Sequence, residues 1–177
     1  GGNVAENAGG AHCLKYGVTT NHILGLEVVL ANGEIIEIGK NGVLDEPGYD
    51  LLGLVTGSEG TLGIVTKITV RILKNPEGKQ TVLAYFDKVE DGSQAVSDII
   101  SAGIVPAALE MMDKTAIEAV EAAAFPVGHP KDIEAVLLIE VDGIAAGIAE
   151  QINQILEVCR KCNVREVRAA KDEAERG

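Results

Sequence analysis

Two glycine-rich stretches carry the residues whose types and spacing could do chemistry. The first is Gly1-Gly2-Asn3-Val4-Ala5-Glu6-Asn7-Ala8-Gly9-Gly10, running on to Lys15-Tyr16-Gly17. The second is Gly57-Ser58-Glu59-Gly60-Thr61-Leu62-Gly63-Ile64-Val65. Glycine lets a backbone N–H approach a ligand with no Cβ in the way, and it permits turns with positive φ. Successive N–H groups in such turns form concave sites for anions such as a pyrophosphate. Small Ala and Asn residues between them keep the surface open for a flat ring. The other reading is that both stretches are tight turns of a Gly-rich α+β fold, since Gly is the default turn residue. Neither is a standard nucleotide fingerprint. Gly57, Gly60 and Gly63 are spaced GxxGxxG rather than GxGxxG, and no acidic residue follows where a dinucleotide fold needs one. The absence of a GK[ST] run excludes a P-loop.

Other reactive residue types are scattered. Cys159 and Cys162 form Cys-Arg-Lys-Cys, but only Cys13 remains to join them, so no four-cysteine metal site can be assembled. The pair falls at the C-terminal end of a helix rather than opening one, as a redox pair would, and reads as small packed hydrophobes. His12 adjoins the first glycine stretch and either approaches the same ligand or lies in a surface loop. His22 reads as capping or packing at a strand start, and His129, between Gly128 and Pro130, as a loop residue. No Ser-His-Asp arrangement follows from such positions. Glu59, set between glycines, could accept backbone N–H bonds and brace its turn. Glu110 and Asp113 read as shaping residues rather than an acid and a base, so no catalytic residue is assigned, and no metal is expected.

The elements that must position the glycines are legible from periodicity. Val4 to Ala8 reads as a helical turn. Ile23 to Leu30 is apolar and β-branched, Asn32-Gly33 follows, and Glu34 to Ile38 alternates, which is a strong hairpin signal. Tyr49 to Leu54, after Pro47-Gly48, reads as a short helix or turn, and Gly63 to Leu73 as another strand. Asn75-Pro76-Glu77-Gly78 marks a boundary. Beyond it come strands at Gln80–Phe86, Pro106–Met112, Glu134–Val141 and Val164–Arg168. Helices are expected at Val89–Ala102 with Gly103 as stop, from the N-cap Asp113 to about Ala124, and over Ile144–Cys162. The order β-α-β-α-β-α-β fits an antiparallel α+β sandwich better than a doubly wound sheet.

The strings GGNVAENAGG, CLKYG with nearby Asn21-His22, GLEVVLANG, PGYDLLGLVTGSEGTLGIVT and PAALEMMD occur in that order along essentially the whole chain. Together they resemble FAD-linked oxidases of the vanillyl-alcohol oxidase type. Within that superfamily, Gly10–Gly17 and Glu110-Met111-Met112-Asp113 resemble the glycolate oxidase D subunits and D-lactate dehydrogenases. The resemblance implies an α+β fold in two parts. Residues 1–75 would be the second subdomain of a PCMH-type FAD-binding domain, and residues 76–177 the start of a ferredoxin-like substrate (cap) domain. It implies that Gly1, Gly2, Asn3 and Ala5 lie along the ribityl chain and ring of FAD. Asn7, Gly9 and Gly10 would continue that lining, with Tyr16 and Gly17 close by. Glu59, Gly60, Gly63 and Ile64 would form a second wall. A pyrophosphate-cradling loop is expected upstream of Gly1 and a histidine-containing catalytic motif beyond Gly177. The implied reaction oxidises a small 2-hydroxy acid to the 2-oxo acid and passes electrons to iron–sulfur or FAD-binding partner subunits. A scaffold module that kept the fold without the cofactor is the alternative.

Composition agrees with a cored globular chain: 46% of its 177 residues are hydrophobic and 24% charged. With only three Tyr, two Phe and no Trp, the cores must be built from Val, Ile, Leu and Ala. A net charge of −12 argues against nucleic acid and anionic membrane surfaces as partners. No apolar run approaches the roughly 20 residues of a membrane span. Three cysteines, an odd count, point to a reducing compartment, with the cytoplasm expected. The opening Gly1-Gly2, without Met, reads as a cut-down or processed chain.

Overall fold

A computed structural model describes residues 1–39, 48–123 and 126–170. The expected turn residue Pro47 and the expected helix end at Ala124 lie outside them. Contacts divide the chain into two compact units, Gly1–Lys74 and Asn75–Gly177.

The first unit is built on a three-stranded antiparallel sheet, β1 (Ile23–Val29), β2 (Ile35–Ile38) and β3 (Ile64–Val70), in the order β2-β1-β3. The β1–β2 hairpin closes as the Asn-Gly signal requires: Leu30 N–H donates to Glu34 O at 2.8 Å, and Asn32 Oδ1 accepts from Glu34 N at 3.0 Å. Ile23 and Leu26 are an odd number of residues apart, so in a regular strand they would face opposite sides. A register irregularity between Ile23 and Gly25 turns both inward, beside Val28, Ile38, Val55 and Val4. Among the described residues, three short helices sit on this frame: α1 (Gly2–Ala5), α2 (Cys13–Tyr16) and α3 (Leu51–Val55), plus a 3₁₀ turn at Thr19–His22. The helical turn expected at Val4–Ala8 begins two residues earlier, and β3 stops at Val70 rather than Leu73. Neither α2 nor the 3₁₀ turn shows an apolar period long enough to reveal it.

The second unit follows the order β4 (Gly78–Phe86), α4 (Val89–Ser101), β5 (Ala108–Asp113), α5 (Lys114–Glu121), β6 (Ala135–Gly143), α6 (Ala145–Lys161) and β7 (Glu166–Ala169). The strands pair antiparallel in the order β5-β6-β4-β7. This is the ferredoxin-like β-α-β-β-α-β arrangement with α5 added between its second and third strands. Alternate residues Val82, Ala84 and Phe86 of β4 and Ala135, Leu137, Ile139 and Val141 of β6 face α4 and α6. From α6, Ile148, Ile152, Ile155 and Cys159 recur at helical spacing to meet them. The opposite sheet face is half covered by α5, where Tyr85, Ile117, Ile133 and Val136 form a second cluster. Asp113 caps α5, its Oδ1 accepting from Ala116 N at 2.9 Å. The helix ends at Glu121, short of the expected end, with Ala122 as its C-cap, and the Glu121 carboxylate accepts from the backbone N–H groups of Gly128 and His129 at 2.9 and 3.0 Å.

Cys159 is buried in the α4–α6 core, and burial pushes its thiol up to about 11. Cys162 is also buried, with Asp98 Oδ2 at 3.5 Å. Both behave as packing residues with a protonated sulfur at neutral pH. No group of three or more His, Cys, Asp or Glu placed to hold a metal occurs among the described residues.

Two outcomes follow from this packing. Leu137→Ala should lower stability by about 2–5 kcal/mol and Asp113→Ala by about 1 kcal/mol, measured by chemical denaturation. In the native chain, Cys13 should react rapidly with a thiol reagent, while Cys159 and Cys162 should react only on unfolding.

Candidate functional site

The two glycine-rich segments meet within the first unit. A four-residue helix cannot hold itself, since its nucleation outweighs the hydrogen bonds it makes. α1 is held because its last carbonyls find donors in the second segment: Gly57 N–H donates to Val4 O at 2.8 Å, and Glu59 N–H to Ala5 O at 2.9 Å. To reach Ala5, the chain bends through left-handed backbone at Gly57 (φ 83°), Glu59 (φ 54°) and Gly60 (φ 75°). Glu59 is not glycine, so its conformation costs on the order of 1 kcal/mol that the surrounding bonds must offset. It is the backbone of Glu59, rather than its carboxylate, that braces the turn.

The remainder of the first segment is clamped from the other side. Asn7 takes φ 46°, and its Oδ1 accepts from Thr20 N at 2.9 Å. Ala8 O accepts from both Thr19 N (3.2 Å) and Thr19 Oγ1 (2.8 Å). Asn21 Oδ1 accepts from Val18 N at 2.9 Å, and the His22 ring Nε2 meets Tyr16 O at 2.8 Å. Cys13 Sγ accepts from Gly10 N at 2.9 Å, while Cys13 N–H returns to Gly10 O at 3.0 Å. Of these braces, Thr19 and Thr20 are residues that sequence reasoning missed, while Cys13, Asn21 and His22 entered it without this bracing role. Their one signal is the run of small polar side chains after Gly17.

Among the expected site residues, Gly1, Gly2, Asn3 and Ala5 lie at or in α1, and Asn7, Gly9 and Gly10 follow it. Tyr16 ends α2, and Gly17 leaves it with φ 81°. The ring of His12 stands edge-on to Tyr16 at 6.5 Å, and Lys15 Nζ lies 5.5 Å from the Tyr16 ring centre. Glu59 and Gly60 lie in the bracing turn. Gly63 packs closely on β1, where a Cβ would come within 2.7 Å of Val28 Cγ1. Ile64 opens β3, paired with Val29, with its side chain exposed.

Gly2 and Gly10 behave differently from Gly63. Neither has left-handed backbone, and a Cβ on either would meet no atom within 4 Å. Nothing among the described residues therefore demands glycine there, and the space above both is open with respect to them. The same unit carries an apolar cleft of about 320 Å³, lined by Val4, Val18, Ile23, Ile68 and Val70, with Asn3, Ala8 and Gly17 of the first stretch and His22 among its walls. Small-residue backbone with open faces, and an apolar cleft walled in part by the same stretch, suit a flat ring with a polar chain. That is the shape of a flavin with its ribityl arm, so the residues present fit such a group.

Comparison with known proteins bears on the same residues. The family model described as "FAD linked oxidases, C-terminal domain" matches residues 75–177, and that described as "FAD binding domain" matches residues 1–39. Glycolate oxidase subunit GlcD of Escherichia coli (strain K12) is 48% identical over 176 residues, which are 99% of this chain and 35% of that protein. D-lactate dehydrogenase of Anaerostipes hadrus is 36% identical over 162 residues, 89% of this chain and 34% of that protein. The chain thus spans about a third of the length of these curated relatives. Among solved structures, an alkyldihydroxyacetonephosphate synthase shares the fold with a TM-score of 0.81 at 19% identity, covering 99% of this chain and 36% of that one. From its glycine-rich opening to its ferredoxin-like unit, this chain belongs to the FAD-linked oxidases.

Proposed function

We propose that the chain is part of an FAD-dependent oxidoreductase that converts a small 2-hydroxy acid, glycolate or D-lactate, to the 2-oxo acid. The observation that carries this is the hydrogen-bonded pair of glycine segments with open space over Gly2 and Gly10. The likeness to glycolate oxidase subunit GlcD along nearly the whole chain supports it. In this reading, residues up to about 75 belong to a PCMH-type FAD-binding domain, and residues from 76 onward open the substrate domain.

Bound FAD would supply the acceptor for the hydride leaving the substrate α-carbon and relay the electron pair onward. The chain's own part is to bind, orient and shield. Gly1, Gly2, Asn3 and Ala5 would run along the ribityl chain and ring, with Gly9 and Gly10 continuing the floor. Asn7, whose Oδ1 is engaged by Thr20 N, would act by holding the loop in shape. Tyr16 and Gly17 would close one edge, and Glu59, Gly60, Gly63 and Ile64 a second wall. Fixing backbone in advance in this way lowers the ordering cost of binding. Electrons would leave through a partner subunit bearing an iron–sulfur centre or a second FAD. The cysteines remain free thiols, as befits the cytoplasm. No helix among the described residues is long and apolar enough to cross a membrane.

Titration of the chain with FAD, read by flavin fluorescence and absorbance, tests the site. Weak binding by the chain alone, and saturable binding by a version extended upstream of Gly1 that weakens at least about tenfold in Gly10→Val with stability within about 0.5 kcal/mol of wild type, is the expected result. Gly2→Ala should separate the two properties more sharply. Helix propensity leaves stability unchanged or raises it by up to about 1 kcal/mol, while FAD affinity falls. Equal FAD affinity in the wild type and both variants would remove these glycines from the site. No binding by the chain, nor by a longer version extended upstream of Gly1, would favour a scaffold that has lost the cofactor.

A further inference from the structure

The half-cover of the second unit's sheet is fastened by a buried histidine that the proposed reaction does not use. His129 is 6% exposed, and its Nδ1 lies 3.2 Å from the hydroxyl of Tyr85, which is fully buried on β4. Its Nε2 is buried with no hydrogen-bond partner. Whichever tautomer forms, one ring nitrogen meets Tyr85 and the other is left unsatisfied. The backbone on either side is strapped down. Glu121 of α5 accepts from the N–H groups of Gly128 and His129, and Arg168 of β7 donates from Nη1 to Gly128 O at 3.0 Å. Arg165 holds the far end, bonding Asp132 O at 3.2 Å and Asp132 Oδ2 at 2.7 Å.

We propose that His129 is the proton-sensitive fastening of this strap: neutral, it holds α5 and residues 128–132 over the Tyr85–Val136 face, and protonated, it releases them. The charges around it run in that direction. The Arg168 guanidinium lies 5.1 Å from the Tyr85 ring centre, so a second cation on His129 would stand close to the first. Glu166, the ion-pair partner of Arg168 on β7, and Glu121 on α5 are the facing anions. Glu121 already accepts two backbone N–H bonds, which hold its carboxyl below the usual range. The Tyr85 hydroxyl can accept one N–H from the imidazolium, but the second has no acceptor and is cut off from water.

Desolvation, opposed by Glu121 and reinforced by Arg168, places His129 below the ordinary imidazole value of 6.5. The opened segment therefore takes up a proton at higher pH than the closed one. Closure is fully favoured above about 6.5 and weakens as pH falls toward the depressed value.

Hydrogen exchange by mass spectrometry, on the chain near pH 7.5 and near pH 5, tests this in the range where histidine titrates, roughly pH 5 to 8. After correction for intrinsic rates, protection of Lys114–Glu121 should fall about tenfold more than that of α6, and this excess should vanish in His129→Gln. Protection of α5 that tracks α6 at both pH values, or an equal excess loss in the variant, would overturn the proposal. If His129→Gln does not fold, the wild-type ring decides by NMR. Titration below 6.5, accompanied by shifts of the Ile117 and Val136 methyls, supports the strap, and titration at or above 6.5 without them refutes it.

Discussion

The first unit depends on two backbone hydrogen bonds, from Gly57 N to Val4 O and from Glu59 N to Ala5 O. They satisfy the C-terminal carbonyls of a single helical turn too short to persist alone. In doing so they join segments more than fifty residues apart and place two glycine-rich backbones side by side. The left-handed geometry at Gly57, Glu59 and Gly60 is the local consequence. A glycine-rich chain has high conformational entropy to lose, so an open site made from it must be braced from outside. Asn7, Cys13, Thr19, Asn21 and His22 provide that bracing from a stretch with little regular structure of its own.

The second unit solves a different problem. Its sheet is apolar toward α4 and α6 and mixed on the other side, where Tyr85 and Val136 stand among Thr81, Glu140 and Arg168. A ferredoxin-like sheet leaves that second face open. Here α5 covers half of it, and closing the cover means burying a Tyr hydroxyl and an imidazole. Hydrogen bonding between the two offsets part of that cost, and one nitrogen goes unpaired. This leftover makes the cover responsive to protons, whereas the apolar layer beneath α4 and α6 has no group that titrates near neutrality.

Much of both units was legible before any coordinates. Asn32-Gly33 announced the hairpin, Asp113 announced a helix start, and the runs Gln80–Phe86 and Glu134–Val141 announced β4 and β6 as strands. Periodicity over Ile144–Cys162 announced α6 as a long helix. These features rest on neighbours in sequence, through dihedral preference and side-chain period. Element ends were less legible, because they are decided by distant partners. α5 ends at Glu121, whose carboxylate accepts from the backbone N–H groups of Gly128 and His129.

The sequence by itself determined the two glycine-rich segments, the antiparallel α+β order and the likeness to FAD-linked oxidases, since each is written in local composition and ordered motifs. Tertiary structure alone decided which glycines are free. Gly63 is held tight against β1 while Gly2 and Gly10 face open space, a distinction invisible in a spacing pattern because it depends on atoms tens of residues away. It also turned His129, to all appearance a loop histidine, into a buried partner of Tyr85. Burial is a property of the whole packed chain, and it alone sets whether an imidazole is solvated or must find its hydrogen bonds within the protein.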